Sequence, residues 1–142
     1  MPWRSSASER RRRERWGRAA ERIALWYFRI QGYRLLARRF RTPVGEIDLV
    51  LRRGGTVVFV EVKFRSRERE EVLDARQQHR IARAALLFLR QRPELMGHGL
   101  RFDLLLLSPF APPRHLPDAW RPEAGTDTPA WSSSLRNRDD SG

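Results

Sequence analysis

Within the stretch 45–66, GEIDLVLRRGGTVVFVEVKFRS, Asp48, Glu61 and Lys63 have the types and spacing to do chemistry on an anionic substrate. Asp48 and Glu61 sit in two apolar, β-branched runs, with Glu46 at the edge of the first. Carboxylates are hard oxygen ligands of the kind that hold Mg²⁺ or Mn²⁺. Lys63 is the single lysine among 29 lysine and arginine residues. Lysine is a compact point charge whose pKa moves on burial, whereas arginine stays charged.

The element that must position these groups is a hairpin. Gly54-Gly55 between two alternating apolar runs signals a two-residue turn. With those glycines at the tip, Arg53 opposes Thr56, Val50 opposes Phe59, Asp48 opposes Glu61 and Glu46 opposes Lys63. Alternation then puts Ile47, Leu49, Leu51, Val58, Val60 and Val62 on one face. The other face carries Glu46, Asp48, Glu61 and Lys63, together with Val57 and Phe59. Directly opposed side chains lie about 5 Å apart at Cβ, and like charges there destabilise the pair. A site that keeps both acids needs a cation: Lys63, an arginine or a divalent metal. The alternative is an exposed hairpin face with ordinary surface acids. Val57 and Phe59 on the same face favour a cleft.

Around the hairpin, residues 14–31 carry Trp16, Ala20, Ile23, Tyr27 and Ile30 at helical spacing, one stripe towards a core, and Gly32 ends the run. Residues 33–40 read as a strand, broken by Thr42-Pro43. Residues 46–51 and 56–63 are the hairpin strands. Residues 72–92 return to helical spacing, with Leu73, Ile81, Ala84, Ala85, Phe88 and Leu89 on one side. Residues 100–107 read as a buried strand with one embedded acid, Asp103. The predicted order is α-β-β-β-α-β, a mixed central sheet flanked by helices. Residues 14–107 form the domain. Residues 1–13 read as a flexible basic N-terminus. Residues 108–142, rich in proline, serine and charge, read as an extended tail with little part in the core.

A length of 142 residues suits one compact domain. The formal net charge of +12 draws such a chain to polyanions, nucleic acid first and an anionic membrane surface second. Cysteine is absent, which excludes a disulfide framework and fits a reducing cytoplasm. His79, His98 and His115 are scattered without ligand spacing. No apolar run is long enough for a secretory signal or a membrane span.

Asp48 followed by Glu61-Val62-Lys63 after a hairpin resembles the D…(D/E)xK signature of the PD-(D/E)XK nuclease superfamily. With GRAAERIALWYFRIQGYRLLARRFR, QQHRIARAALLFL and RFDLLLL, the stretch resembles the YraN-like family of small bacterial proteins, related in fold to archaeal Holliday junction resolvases. The likeness covers roughly residues 16–107. It implies an α/β, restriction-endonuclease-like core and a metal-dependent endonuclease that hydrolyses phosphodiesters in DNA, with branched or junction DNA among its substrates. It makes Asp48 and Glu61 the ligands of Mg²⁺ or Mn²⁺, with the backbone carbonyl of Val62 as a third. It makes Lys63 the residue that orients or deprotonates the attacking water. It gives Glu21 on the first helix a metal or water contact, and places Gln78 on the second helix at the site. Gln77 stands where family members commonly carry lysine. Analogy with resolvases, which act on two strands, implies a homodimer. A second reading is a nucleic-acid-binding or scaffold protein on the same fold, with little or no turnover.

Overall fold

The computed structural model describes residues 7–64, 73, 75–109 and 111–122, with side chains from Gly17 onward. The elements run α1 (Ala7–Arg29), β1 (Arg34–Thr42), β2 (Gly45–Arg53), β3 (Thr56–Phe64), α2 (Ala75–Arg90), a 3₁₀ turn at Pro93–Leu95, β4 (Gly99–Ser108) and β5 (Ala111–Leu116). The five strands form one sheet in chain order, β1-β2-β3-β4-β5. β1, β2 and β3 are a meander of antiparallel neighbours, β3 and β4 are parallel, and β5 returns antiparallel to β4. The parallel pair needs a crossover, and α2 supplies it.

Both faces of the sheet are covered. Under α2 lies a core of Ile81, Ala84, Ala85, Phe88 and Leu89 against Ile47, Val50, Val57, Phe59, Phe102 and Leu104. Under α1, Ala20, Ala24 and Phe28 pack on Leu49, Leu51, Val58, Val60, Leu105 and Leu107. A sheet buried on both sides explains why Val57 and Phe59 share a face with the acids: they are the α2-side core, not the rim of a cleft. On this side Phe40 and Phe59 meet Phe88 edge to face, at ring separations of 5.2 and 6.1 Å. Phe59 stacks on Phe102 at 5.3 Å, and Phe102 on Trp120 at 4.3 Å.

Four expectations need correction. The first helix begins at Ala7, so part of the segment read as a flexible N-terminus is helical; residues 1–6 lie outside the described residues. Its buried stripe is Ala20, Ala24 and Phe28, and Ile23 and Ile30 point outward. Small alanines let the helix lie close on the sheet, and the bulkier isoleucines do not fit there. The segment after Ser108 is not wholly an extended tail. Residues 111–116 form the fifth strand and Trp120 is buried. Pro112 and Pro113 hid that strand, because proline lacks the N–H that a strand pairs with and is confined to edges and irregular positions; the pairing with β4 slips opposite them. Finally, Ile47 lies in the α2-side core with its cross-strand partner Phe40, opposite to Leu49. The alternation slips at Asp48, beside Arg39, whose φ of 47° departs from strand geometry.

Candidate metal centre

The hairpin has the register that Gly54-Gly55 implied, from Arg53↔Thr56 through Val50↔Phe59 to Leu49↔Val60. Gly54 takes the left-handed conformation, φ 58°, that such a turn requires. Backbone pairing between β2 and β3 ends at Leu49↔Val60, while β3 stays paired with β4 as far as Phe64↔Leu107. The two strands therefore part where the acids sit. The Asp48 carboxylate takes up the backbone group left over: Oδ2 accepts the Val62 N–H at 2.8 Å.

Asp48 and Glu61 are hydrogen-bonded to each other, and burial raises both above the usual carboxylate range. The Glu61 carboxyl is pushed from 4.5 to about 8, first by burial and then by the Asp48 charge, with Lys63 acting in the opposite sense. The rise of Asp48 is restrained by the Val62 N–H and by its bond with Glu61. Lys63 Nζ lies 3.6 Å from Glu61 Oε1, both side chains being about four-fifths buried. Asp48, Glu61 and Lys63 are thus one cluster in the notch between the diverging strands.

Glu21 approaches from α1. Its carboxylate is ion-paired with Arg39, and its charge helps to raise Asp48, as does that of Glu46. Arg39 therefore belongs to the site, which the sequence did not reveal among so many arginines; its left-handed φ of 47° and its pairing with Glu21 set it apart in the fold. Glu46 is ion-paired with Arg41 at 3.4 Å. Gln78 is half-buried, and its amide donates to the Leu73 carbonyl at 2.8 Å, fastening the start of α2. No hydrogen bond joins Gln78 to Asp48, Glu61 or Lys63 among the described residues.

The turn into β2 is built to bring α2 close. Thr42 Oγ1 accepts the N–H groups of Val44 and Gly45 and donates to the Gly45 carbonyl. A Cβ at Gly45 would stand 2.4 Å from the Arg80 carbonyl oxygen, so only glycine fits.

Asp48 and Glu61 are the carboxylates here that could hold a cation. Among the described residues no group of three or more histidine, aspartate and glutamate side chains forms a ready ligand set. A pair suits Mg²⁺, which commonly binds through one or two carboxylates, keeping waters and substrate oxygens as its other ligands.

A second polar cluster lies on the α1 face of β4. Asp103 is fully buried. It accepts two bonds from Arg101, each 2.8 Å, one from His115 Nε2 at 2.6 Å and one from the Asp118 N–H at 3.0 Å. Burial alone would raise its pKa, but the bonds from His115, Arg101 and Asp118 outweigh that and hold it below the usual range. Arg101 also donates to the Tyr33 hydroxyl at 2.7 Å. His115 was unreadable as a partner of Asp103 because it belongs to the unforeseen strand β5. This cluster ties β5 to the sheet and lies on the face opposite α2.

Among the described residues no helix is long and apolar enough to cross a membrane. The model of the Uncharacterised protein family UPF0102 matches residues 20–107, a span that holds Glu21, Asp48, Glu61, Lys63 and Asp103. The chain is 46% identical over 114 residues to a UPF0102 protein of Paramagnetospirillum magneticum, covering 76% of this chain and 88% of that one. It is 49% identical over 110 residues to one of Parvibaculum lavamentivorans, covering 76% and 83%. A relative from Rhodopseudomonas palustris is 47% identical over 118 residues, covering 82% and 87%. With this coverage of both partners and a family match across β1 to β4, α2 and the acidic notch, the chain belongs to family UPF0102, the YraN-like group of the PD-(D/E)XK type.

Proposed function

We propose that the protein is a metal-dependent endonuclease that hydrolyses phosphodiester bonds in DNA, with branched DNA among its substrates. The observation that carries this reading is the buried Asp48–Glu61 pair sharing a proton beside Lys63. A buried acidic pair in which one carboxyl keeps its proton near neutral pH is a place where a divalent cation can replace that proton. Asp48 and Glu61 would hold Mg²⁺ or Mn²⁺, with the Val62 carbonyl as a further oxygen ligand. When bound, the ion supplies Lewis-acid stabilisation of the phosphate and lowers the pKa of a water. Lys63 orients that water and offsets charge on the phosphate. The water oxygen forms a bond to phosphorus as the bond to one ester oxygen breaks. Glu21 and Arg39, paired with each other, act on Asp48 through their charges. The net charge of +12 supports contact with backbone phosphates independent of sequence.

The test is cleavage of a panel of linear and branched DNA with Mg²⁺ or Mn²⁺, with Asp48→Ala as control and a salt titration of binding alongside. Cleavage by the wild type and none by the variant is expected, with affinity falling steeply as salt rises. DNA that is bound but never cut under either metal would turn the reading to a binding or scaffold protein.

A further inference from the structure

Helix α1 carries a second apolar stripe that the domain does not use. Ile23, Trp26 and Ile30 are 47%, 67% and 62% exposed. The Ile30 N–H still bonds to the Trp26 carbonyl at 3.1 Å, so the last helical turn holds Ile30 in line with the others. With Ala19, which is half-buried, their spacing is four, three, four. That is the alternation of a and d positions in a heptad repeat, with Ile23 and Ile30 at a and Ala19 and Trp26 at d. The flanks of this seam differ. Its e positions are Ala20 and Tyr27, packed towards the sheet. Its g positions are Arg22 and Arg29, both exposed, and Arg18 stands exposed beside them. Their side chains have no hydrogen bond or ion pair among the described residues. In the sequence the repeat extends back to Arg15 at g and Trp16 at a.

We infer that this face is a docking seam for a single amphipathic helix of a partner protein, apolar along its own a and d positions and acidic where it meets Arg22 and Arg29. The charge pattern selects the occupant. A second copy packed antiparallel would set g against g, arginine on arginine. Packed parallel, it would need the e positions, and Ala20 and Tyr27 are spent in the core. A nucleic acid would use the arginines but has no need of two isoleucines at coiled-coil spacing. The seam lies on the outside of α1, away from the Asp48–Glu61 notch, and the inference does not rest on the nuclease reading.

The test uses the full chain and a fluorescent synthetic helix of about four heptads, with leucine at a and d and glutamate at e and g. Two control peptides replace glutamate by lysine, or leucine by serine. The acidic leucine peptide should bind, and both controls should bind at least about tenfold more weakly. The double variants Trp26→Ala/Ile30→Ala and Arg22→Glu/Arg29→Glu should each lose at least about tenfold in affinity. The charge-reversed variant should now prefer the lysine peptide. Circular dichroism melting should be unchanged in both, because these side chains face solvent. Equal binding of the serine peptide, or indifference to Trp26→Ala/Ile30→Ala, overturns the seam. Self-association of the wild type that those alanines abolish gives it to a second copy instead. Competition by single-stranded DNA that depends on Trp26 gives it to nucleic acid.

Discussion

Asp48 and Glu61 share a hydrogen bond at the point where β2 and β3 separate, and the Val62 N–H donates to the Asp48 carboxylate at 2.8 Å. The proton between them is the quantity through which pH and metal act. Without metal, the folded state keeps the Glu61 proton to about pH 8, whereas the unfolded chain releases it near 4.5. The unfolded state binds fewer protons in that window, so this group's contribution to stability falls as pH rises from 4.5 to about 8. A divalent ion must displace the proton. Mn²⁺ affinity, followed by calorimetry, should therefore increase by up to about tenfold per pH unit until pH 8 and then level off. Glu61→Gln should flatten the stability profile and abolish tight Mn²⁺ binding; a pH-independent affinity in the wild type would contradict the shared proton.

Lys63→Arg separates charge balance from catalysis. Arginine conserves the charge beside Glu61, so melting temperature and DNA affinity should hold. Its planar, permanently charged fork misplaces a water oriented by a compact ammonium and takes no part in proton transfer. Single-turnover cleavage should slow by at least about a hundredfold. Near-normal cleavage would return Lys63 to charge compensation alone.

Gly45→Ala tests how closely the turn before β2 meets α2. The added methyl would lie 2.4 Å from the Arg80 carbonyl oxygen, so the helix or the turn must move. Denaturant unfolding should show a loss of about 1–3 kcal/mol, typical of an overpacked contact. No loss would mean that turn and helix separate freely.

Asp103→Ala removes the acceptor shared by Arg101, His115 and the Asp118 N–H. It should cost about 3 kcal/mol, as when one member of a buried ion pair is removed. The sign of the acid response follows from the lowered pKa of Asp103: its stabilisation is present above 3.8 and lost as pH falls through the lower folded value. The wild type should therefore lose stability in acid more steeply than the alanine variant, as urea midpoints across that range would reveal.

The hairpin and its register were legible because a two-residue glycine turn and alternating residues constrain each other. Both helices were legible, α2 in each of its buried residues, Ile81, Ala84, Ala85, Phe88 and Leu89, while Leu73 lies just before it. On α1 two apolar stripes compete: Ala20 falls in the predicted core stripe, but the sequence alone gives no reason to bury Ala24 and Phe28 before Ile23 and Ile30. Only the sheet, which needs close approach, decides that. Asp48, Glu61 and Lys63 could be grouped from spacing because a short hairpin brings them together. Arg39 and His115 could not, since each reaches its partner through tertiary packing, and in the case of His115 through a strand whose prolines argue against a central position.

Those prolines have a further effect. A five-stranded open sheet has two outer edges, and each is a template on which another chain can add strands. At β5 the sequence Ala-Pro-Pro removes two backbone donors in succession. At β1 the edge is broken by a register shift between Leu35 and Ala37, by the left-handed Arg39, and by exposed charge at Arg34, Arg38, Arg39 and Arg41. Both borders of the sheet are thus poorer templates for edge-to-edge pairing, one through missing hydrogen-bond donors and the other through kinks and charge. Pro112→Thr/Pro113→Val, which restores the donors, should lower the solubility of the chain without altering the notch, as sedimentation of concentrated samples would reveal.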